Sequence, residues 1–415
     1  MLPIIKELLS VCTDKTQLID SDHMKSNLLY RKVILDVLDP LYEDKSAVFD
    51  NTASTNLIKI GVLYDCIYNR LHTGQWSTVD ETDRKCFTVL SYARILYTLL
   101  VSKDLHCGVK DGIYLADLGL MLGEKLRLND KNIGNDLLTE CASILTRYLA
   151  DANVTVPPSK RLRLDEKVEE VGLTEKPDVS ILECPSLEVF GKQCYDPKQP
   201  AIIRGIIKDW PAMELWHDPG YLLSIAGERT VPIELGSQYS NDDWSQKLMK
   251  FGEFVEQNIC TNSPSPLDGN RTAYLAQHDL FDQVPALRRD ITVPDYIGRT
   301  DANPRIKAWL GPKGTVSPLH TDPCHNLLCQ VFGSKTIILA RPEDTDNLYP
   351  HEHFILSNTS QVDARHPDYE RFPLVRQVRF HRLTLHRGEV LYIPPKWWHY
   401  VESLSPSFSV SFWFE

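Results

Sequence analysis

The chain has 415 residues, of which 42% are hydrophobic and 24% charged, as in an ordinary globular protein. This composition excludes a fully disordered chain, and no apolar run approaches the roughly 18 residues that a membrane-spanning helix needs. The formal charge of −11 disfavours nonspecific binding to nucleic acid by the whole chain and is compatible with a basic peptide as substrate.

Ten cysteines are scattered between Cys12 and Cys329, and none forms a C-x-x-C pair or a zinc-finger spacing. The start of the chain, where Lys6 and Glu7 closely follow Met1, shows no secretory signal. Together these features predict reduced thiols in the cytosol or the nucleus.

Residues 1–150 are predicted to form a helical domain with a packing or partner-binding role. Apolar residues recur at helical spacing over 27–38, 57–67, 89–100 and 136–149. Thr78 and Glu81 have the spacing of a capping box, which predicts a helix N-cap at Thr78.

Residues 151–180 are predicted to form a flexible linker, because Pro157 and Pro158 introduce a stretch of low apolar content that becomes rich in acids. The short basic run Lys160–Arg163 within it has two interpretations. It is either a nuclear import signal or a plain solvated segment.

Residues 181–415 are predicted to form a domain of short strands, because short apolar runs are bounded there by Gly and Pro. Gly333-Ser334 is predicted to be the turn of a hairpin between the runs 326–332 and 336–340. In the final run, 407–414, Phe408, Val410, Phe412 and Phe414 share one face by alternation, so the run is predicted to be a core strand. The pattern favours a jelly roll or barrel after an all-α domain, an α+β chain.

The segment that indicates chemistry is Ser317-Pro318-Leu319-His320-Thr321-Asp322-Pro323. On an extended chain His320 and Asp322 point to the same face, so both can bind one metal ion. Such an H-x-D pair is weak evidence by itself, because it occurs often by chance.

A second histidine strengthens the pair. His399 lies between two apolar runs, and a jelly roll can bring a late strand beside an early one. Two histidines and a carboxylate occupy one face of an octahedron and leave three positions open, as in non-haem iron(II) oxygenases. A Cys cluster or three histidines would favour zinc instead.

An open iron centre needs a co-substrate, and 2-oxoglutarate can chelate the metal while leaving a position for dioxygen. The far carboxylate of this co-substrate needs a cation inside the barrel, since an unpaired buried charge costs several kcal/mol. Lys335, just after the Gly333-Ser334 turn, is a candidate counter-ion.

His320-Thr321-Asp322, Lys335 and His399 together resemble the iron triad and co-substrate lysine of the JmjC-domain 2-oxoglutarate oxygenases. The resemblance covers 181–415 and extends to further segments, namely Ala308–Pro312, Leu348–His351, Asn358–Asp363 and Phe408–Trp413. It implies a double-stranded β-helix, a cupin-like jelly roll, that uses Fe(II) with 2-oxoglutarate and O2 as co-substrates.

The resemblance also implies roles for six residues beside the triad. It carries over Tyr274, Ser317, Asn326 and Lys335 as co-substrate contacts, Trp309 as a pocket wall and Glu234 as a contact to a substrate guanidinium. A buried carboxylate can hold a guanidinium with two parallel hydrogen bonds.

Two features nearby need separate interpretation. Cys324-His325 departs from the uncharged amides expected after the triad segment, and Cys324 would be open to oxidation near a metal. His351 and His353 form another H-x-H pair, which we predict to lie in a surface loop.

The triad cannot separate hydroxylation of a side-chain carbon from removal of an N-methyl group, because the iron chemistry is the same. The resemblance implies an arginyl C3-hydroxylase, with a histone lysine demethylase as the alternative. A histone-tail endopeptidase, for which no Ser-His-Asp or Cys-His signature is present, and a non-catalytic cupin-like scaffold are further alternatives.

The expected partner is a basic protein or peptide, such as a histone tail or a ribosomal or chromatin-associated protein. The helical domain could recruit a separate protein partner, and neither nucleic acid nor membrane is expected to bind. These interpretations predict a nuclear chromatin regulator connected with the cell cycle, with the cytoplasm as an additional location.

Overall fold

A computed structural model describes residues 2–19, 28–43, 52–73, 79–126, 136–151, 179–236, 244–260, 272–298, 303–353 and 356–415. These residues divide into two compact units. The first unit contains the described residues up to 151 and two short later segments, Ser224–Thr230 and Asp282–Pro285. The second unit contains the other described residues. Lys160–Arg163 and nearly all of the predicted linker lie outside the described residues, so the linker and the domain boundaries stay predictions.

The first unit is helical, as predicted. Its longer helices are α1 (Pro3–Val11), α2 (Leu28–Tyr42), α3 (Thr52–Leu71), α4 (Glu81–Val101), α5 (Leu105–Leu122) and α6 (Leu137–Asp151). None of the described helices is long and apolar enough to cross a bilayer.

The start of α4 differs from the prediction. Asp80 is the N-cap, and its side chain accepts a hydrogen bond of 2.8 Å from the amide of Thr82. The predicted cap at Thr78 is therefore wrong, although Thr78 itself lies outside the described residues. Asp accepts such a bond at least as well as Thr, so the sequence offers two candidate N-caps, Thr78 and Asp80.

Helix α4 is the centre of the first unit and is buried on nearly all sides. Its buried Tyr92 donates a hydrogen bond of 3.1 Å to the carbonyl of Leu8 in α1. Its Tyr97 donates one of 2.6 Å to the carbonyl of Val37 in α2. The ring of each tyrosine fills the core while its hydroxyl is satisfied, which ties α4 to both neighbours.

The same unit buries an ion pair. Arg229 is 1% exposed, and its Nη2 donates a hydrogen bond of 2.6 Å to Oδ1 of Asp117 in α5. Asp117 also accepts hydrogen bonds from the amide of Thr230 and from Nε2 of Gln283, each at 2.7 Å. The two later segments therefore belong to the helical unit because they supply the partners of one buried carboxylate.

The second unit is a strand domain. Its strands are β1 (Ser180–Glu183), β2 (Ala201–Arg204), β3 (Thr230–Leu235), β4 (Ser245–Lys250), β5 (Ala273–His278), β6 (Arg305–Gly311), β7 (Val316–His320), β8 (His325–Phe332), β9 (Lys335–Ala340), β10 (His381–Leu385), β11 (Glu389–Ile393), β12 (Trp398–Ser403) and β13 (Ser407–Phe414). Short helices lie between them, namely α7 (Leu187–Phe190), α8 (Pro211–Leu215), α9 (Pro219–Ala226), α10 (Phe251–Phe254), α11 (Leu280–Gln283) and α12 (Pro285–Arg288).

The strands form two sheets that face each other. One sheet has the order β1-β2-β11-β8-β13-β6-β5-β3-β4 and the other β10-β9-β12-β7. Leu328 and Leu391 of the first sheet share a hydrophobic cluster with Ile337, Leu339 and Leu383 of the second. This sandwich of mainly antiparallel strands confirms the predicted jelly roll, and with the helical unit it confirms the α+β class.

The predicted hairpin at Gly333-Ser334 is wrong. Strand β8 lies in the larger sheet and β9 in the smaller one, so the turn carries the chain from one sheet to the other. Gly333 has a φ of +72°, and a Cβ there would lie 2.2 Å from the carbonyl oxygen of Pro406. Glycine is needed for this close crossing as much as it would be for a hairpin, so the local sequence could not separate the two.

The last strand, β13, is buried along its whole length, as predicted. Its aromatic face packs outward, where Phe408 stacks on Trp216 with ring centroids 4.5 Å apart. Its polar face points into the sandwich, where Ser409 donates a hydrogen bond of 2.7 Å to Gln330 and Ser411 lies at a cavity. The alternation therefore separates a packing face from a site-lining face.

Candidate metal centre

Two neighbouring strands bring the predicted triad together. In the pairing of β7 with β12, His320 lies directly opposite His399, and Asp322 follows β7 by two residues. The imidazole centroids are 4.1 Å apart, and Nε2 of His399 lies 3.7 Å from Oδ2 of Asp322. Among the described residues this is the one cluster of at least three such side chains whose ligand atoms lie within 4.8 Å of each other.

Backbone carbonyls orient both imidazoles. Nδ1 of His320 donates to the carbonyl of Pro318 at 2.7 Å, and Nδ1 of His399 donates to that of Trp397 at 2.9 Å. In each ring the proton is therefore on Nδ1, which leaves the lone pair of Nε2 for a metal. Burial, reinforced by the neighbouring His399, lowers the pKa of His320 to about 4, so this ring is a neutral ligand at pH 7.

A short segment covers the free edge of β7, the outer strand of the smaller sheet. The carbonyl of Asn358 accepts a hydrogen bond of 2.9 Å from the amide of Thr321, and Nδ2 of Asn358 donates one of 3.0 Å to the carbonyl of Thr321. Thr359 also forms an isolated antiparallel β-bridge with His320. The amide and the carbonyl of Thr321, which lies between two candidate ligands, are therefore both hydrogen-bonded to Asn358.

The triad opens into a cavity of about 310 Å³. All nine residues selected from the sequence line it, namely Glu234, Tyr274, Trp309, Ser317, His320, Asp322, Asn326, Lys335 and His399. The structure therefore places these residues at one site, while the individual roles assigned to them stay predictions.

A lysine without a counter-ion lies in this cavity. Lys335 is 1% exposed and donates a hydrogen bond of 3.2 Å to the hydroxyl of Tyr274. No carboxylate of a described residue forms an ion pair with it, and burial lowers its pKa from the ordinary value to about 7. Burial also raises the pKa of Tyr274, so this tyrosine stays a neutral hydroxyl. An unpaired buried cation is costly, and an anionic ligand would remove that cost.

Two further polar groups line the same cavity. Asn326 is 5% exposed, and its Oδ1 has no hydrogen-bond partner among the described residues. Ser317 also lines the cavity, and its hydroxyl can donate a hydrogen bond. Buried polar groups are nearly always satisfied in folded proteins, so the side-chain oxygen of Asn326 indicates a missing hydrogen-bond donor.

Aromatic rings and a carboxylate line another part of the cavity. Glu234 in β3 is paired in register with Tyr274, and it accepts a hydrogen bond of 3.2 Å from the indole of Trp244. Burial raises the pKa of Glu234. The indole of Trp309 is held by a hydrogen bond of 3.0 Å to Ser411, which fixes the orientation of this wall.

Several cavity residues were not selected from the sequence, among them Gln277, Asn358, Thr359 and Trp413. Asn358, Thr359 and Trp413 lie in segments that carry the family resemblance, so a signal for all three was present. Gln277 gave no signal, although its φ of +53° is unusual for a residue other than glycine.

Neither Cys324-His325 nor the pair His351 and His353 belongs to the triad. His325 is 7% exposed, stacks on Tyr195 with ring centroids 4.4 Å apart and shares a hydrogen bond of 2.7 Å with the hydroxyl of Tyr392. Cys324 is also buried, and burial raises the pKa of its thiol, which disfavours the reactive thiolate. His351 and His353 lie in a loop outside the triad.

The fold and the site define a class of protein. Residues 186–415 match the family model described as a cupin-like domain. The chain belongs to the JmjC family of cupin-like proteins and is a 2-oxoglutarate-dependent oxygenase. Membership implies dependence on Fe(II) and 2-oxoglutarate, and the His-Asp-His cluster is the candidate metal site.

Three relatives match along most of the chain. Jumonji C domain-containing protein 5 of Drosophila melanogaster is 44% identical over 88% of this chain and 88% of its own length. Lysine-specific demethylase 8 of Danio rerio is 40% identical over 85% of this chain and 86% of its own length. Lysine-specific demethylase JMJ30 of Arabidopsis thaliana is 37% identical over 84% of each.

Proposed function

We propose that this protein is an Fe(II)- and 2-oxoglutarate-dependent hydroxylase that oxidises C3 of an arginine in a basic protein segment. The observation that carries the proposal is Glu234, a half-buried carboxylate that lines the same cavity as the triad. A carboxylate in such a position can hold a guanidinium by two parallel hydrogen bonds. Trp309 and Tyr274 supply flat walls beside it.

The residues present fit the cofactor and co-substrate. His320, Asp322 and His399 would hold the iron, because two histidines and one carboxylate are the ligand set that Fe(II) oxygenases use. Bound iron with 2-oxoglutarate and dioxygen supplies the oxidising power for breaking a C–H bond. Lys335 is the one cavity cation among the described residues, and it would neutralise the far carboxylate of the co-substrate.

The remaining contributions of the chain are orientation and exclusion of water. Tyr274 and Ser317 can donate hydroxyl hydrogen bonds to the co-substrate, and Asn326 can donate its amide. Glu234 would hold the guanidinium so that C3 faces the metal, because a fixed side chain reacts far faster than one that rotates freely. The ring of Trp309, which lines the cavity, would exclude water from the side of a bound substrate.

The competing function is removal of an N-methyl group from lysine. It is supported by the names of the relatives from Danio rerio and Arabidopsis thaliana, both of which are called lysine-specific demethylases. Methylated ammonium groups prefer aromatic cages, and Trp309, Trp413 and Tyr274 line this cavity. The two oxygens of a carboxylate match the parallel N–H groups of a guanidinium better than they match a methylated ammonium. Glu234 is therefore the reason for preferring the hydroxylase.

Mass spectrometry of peptides after incubation with the enzyme separates the two activities. An arginine-containing basic peptide should gain one oxygen atom, while the matched peptide with a methylated lysine should be unchanged. Loss of a methyl group from lysine, without oxygen added to arginine, would overturn the proposal.

A substitution at the carboxylate sharpens this test. Glu234→Gln keeps the shape and removes the charge, so it should abolish arginine hydroxylation while 2-oxoglutarate still binds. The control is Glu253→Gln, at an exposed position outside the cavity. Equal activity of both variants on arginine would refute the role of Glu234.

The other two alternatives are disfavoured. The chain belongs to an enzyme family and keeps a complete His-Asp-His cluster, which argues against a scaffold without turnover. Peptidase activity would need a nucleophile beside a base, and Cys324, the cysteine nearest in sequence to the triad, has its pKa raised by burial.

A nuclear location and a basic protein partner also stay proposals. The support for the location is the basic run Lys160–Arg163, which lies outside the described residues. Imaging a fluorescent fusion, with and without replacement of the three basic residues of that run by alanine, tests it. Equal nuclear signal from both fusions would exclude the run as the import signal.

A further inference from the structure

A second concavity lies in the strand unit and shares no lining residue with the catalytic cavity. It is an open cleft of about 650 Å³, within the size range of ligand sites. We call it the basic cleft, and its lining residues are Pro197, Lys198, Gln199, Arg341, Pro342, Glu343, Asp344, Gln377, Arg379, Pro395, Lys396 and Trp397.

The basic cleft is positive although the whole chain carries a formal charge of −11. Four cationic side chains line it against the two carboxylates of Glu343 and Asp344. Within the described part of the chain, Lys198, Arg341 and Lys396 make no ion pair. The positive charge of this cleft is therefore not neutralised from within, and an anion entering it would gain attraction from several sides.

The first unusual feature is the backbone of Lys198, which has a φ of +52°. The helical segment that precedes it ends with two hydrogen bonds, from the amide of Gln199 to the carbonyl of Cys194 at 2.9 Å and from the amide of Lys198 to that of Tyr195 at 3.2 Å. This pattern is a Schellman motif, and Lys198 occupies the left-handed position at which glycine is usual.

The backbone of Lys396 is unusual in the same way, with a φ of +66°. The amide of Trp397 donates to the carbonyl of Pro394 at 3.3 Å, which closes a turn with Pro395 and Lys396 in its middle. Proline followed by a residue of positive φ is the arrangement of a type II turn, and glycine is the usual residue at that second position.

Two lysines thus stand where the backbone favours glycine, and both side chains line the same cleft. A residue with a Cβ is strained in the left-handed region, so such residues persist where the side chain or its surroundings require them. Neither lysine makes a side-chain hydrogen bond or ion pair within the described residues. Both ammonium groups are therefore available to a ligand in the cleft.

Hydrogen bonds join two walls of the cleft to each other and link the cleft to the metal centre. The indole of Trp397 donates a hydrogen bond of 2.9 Å to the carbonyl of Lys198, which ties the two lysine-bearing walls together. The amide of Lys396 donates one of 2.8 Å to the carbonyl of the candidate metal ligand Asp322. A ligand in the cleft would therefore contact a turn that is bonded directly to the catalytic site.

From these observations we propose that the basic cleft binds an acidic segment of a partner protein. The carboxylates of Asp and Glu residues are spaced along a flexible chain, so they can meet the four cations and avoid Glu343 and Asp344. A nucleic acid carries a charge at every phosphate and would meet those two carboxylates as well. The proposal goes beyond the oxygenase activity and does not depend on it.

The test is binding of a fluorescein-labelled hexaglutamate peptide to the full-length protein, followed by fluorescence anisotropy. We expect saturable binding that weakens as salt is raised, because the contacts are between exposed charges. The double substitution Lys198→Gly and Lys396→Gly should weaken binding about tenfold. The melting temperature of this variant should stay equal or rise, since glycine relieves the strain at both positions.

The matched control is the double substitution Lys247→Ala and Lys313→Ala, which removes the same charge at exposed positions outside the cleft. Equal weakening by the two pairs would overturn the proposal, and so would the absence of saturable binding to the unsubstituted protein. Tighter binding of a single-stranded oligonucleotide or of inorganic phosphate, lost in the same glycine variant, would overturn the choice of an acidic peptide. Because the peptide assay needs no turnover, its outcome is independent of which reaction the enzyme catalyses.

Discussion

Each of the two units buries a cation, and the two cations have opposite surroundings. In the helical unit the guanidinium of Arg229 meets Asp117, whose oxygens also accept hydrogen bonds from Thr230 and Gln283. In the strand unit the ammonium of Lys335 meets a tyrosine hydroxyl and no described carboxylate. The first cluster is complete within the chain, whereas the second has a charge that needs a ligand.

This difference separates a structural cluster from a functional one without reference to relatives. A buried charge that is fully paired contributes to a unique fold, and breaking the pair leaves an uncompensated charge. A buried charge that is unpaired reduces the stability of the ligand-free protein and increases its affinity for an anion. The comparison therefore predicts effects of opposite sign in the two units.

The largest expected effect is on catalysis. Asp322→Ala removes one of three candidate metal ligands, so it should lower succinate formation by at least about three orders of magnitude. Metal content after dialysis against Fe(II) or Mn(II) should fall in parallel. The free energy of unfolding should change little, because the carboxylate is a candidate metal ligand and not part of the hydrophobic core. Turnover equal to that of the unsubstituted protein would refute the assignment of the site.

The next largest effect is on the stability of the helical unit. Asp117→Ala leaves Arg229 buried without a partner and should reduce the free energy of unfolding by about 3–5 kcal/mol. The control is Asp282→Ala, which breaks an exposed ion pair with Lys125 in the same unit and should cost at most about 1 kcal/mol. Urea unfolding followed by circular dichroism measures both, and equal losses would contradict the structural role of Asp117.

Lys335→Met should act in the opposite direction. Removal of an unpaired buried charge should stabilise the co-substrate-free protein by a few kcal/mol, while the affinity for 2-oxoglutarate falls at least about a hundredfold. Metal affinity should be nearly unchanged, because Lys335 is not among the candidate ligands. Equal losses of metal and co-substrate binding, seen by calorimetry, would contradict the assigned role.

The pH dependence of co-substrate binding tests the same lysine. Burial lowers the pKa of Lys335 from 10.5 to about 7, so between these values the unfolded chain binds more protons than the folded one. The contribution of Lys335 to the stability of the co-substrate-free protein therefore rises as pH increases from about 7 towards 10.5. The affinity for 2-oxoglutarate should fall over the same range, by up to about tenfold per pH unit, since the anion needs the ammonium form.

Calorimetry at pH 8 in buffers of different ionisation enthalpy measures this coupling directly. Binding of 2-oxoglutarate should be accompanied by proton uptake in the unsubstituted protein and by none in Lys335→Met. Uptake that persists in the variant would assign the proton to another group.

The smallest expected effect is at the segment that covers β7. Asn358→Ala removes the side-chain hydrogen bond to Thr321, so the two ligands on either side of Thr321 are less well oriented. We expect metal affinity to fall about tenfold, as for other residues that orient ligands without touching the metal. Glu352→Ala, an exposed change in the same loop, is the control and should leave metal affinity unchanged.

Much of the architecture and the ingredients of the site could be read from the sequence. The β13 strand was predictable because alternation over eight residues is a local property. The candidate ligands were recognisable by residue type and by the two-residue spacing of His320 and Asp322. The turn at Gly333 was misassigned because a sharp turn has the same composition whether it joins paired strands or two different sheets.

The sequence by itself determined which chemical groups the protein has and which short segments are helical or extended, because these depend on side-chain type and local periodicity. Only the tertiary structure decided which groups meet. It placed His399 opposite His320 and left Lys335 without a carboxylate. It also brought Asp117 to Arg229, and Lys198 and Lys396 to one cleft. These outcomes depend on contacts between residues far apart in the chain, where desolvation and pairing decide the free energy of each charge and where no local pattern carries the information.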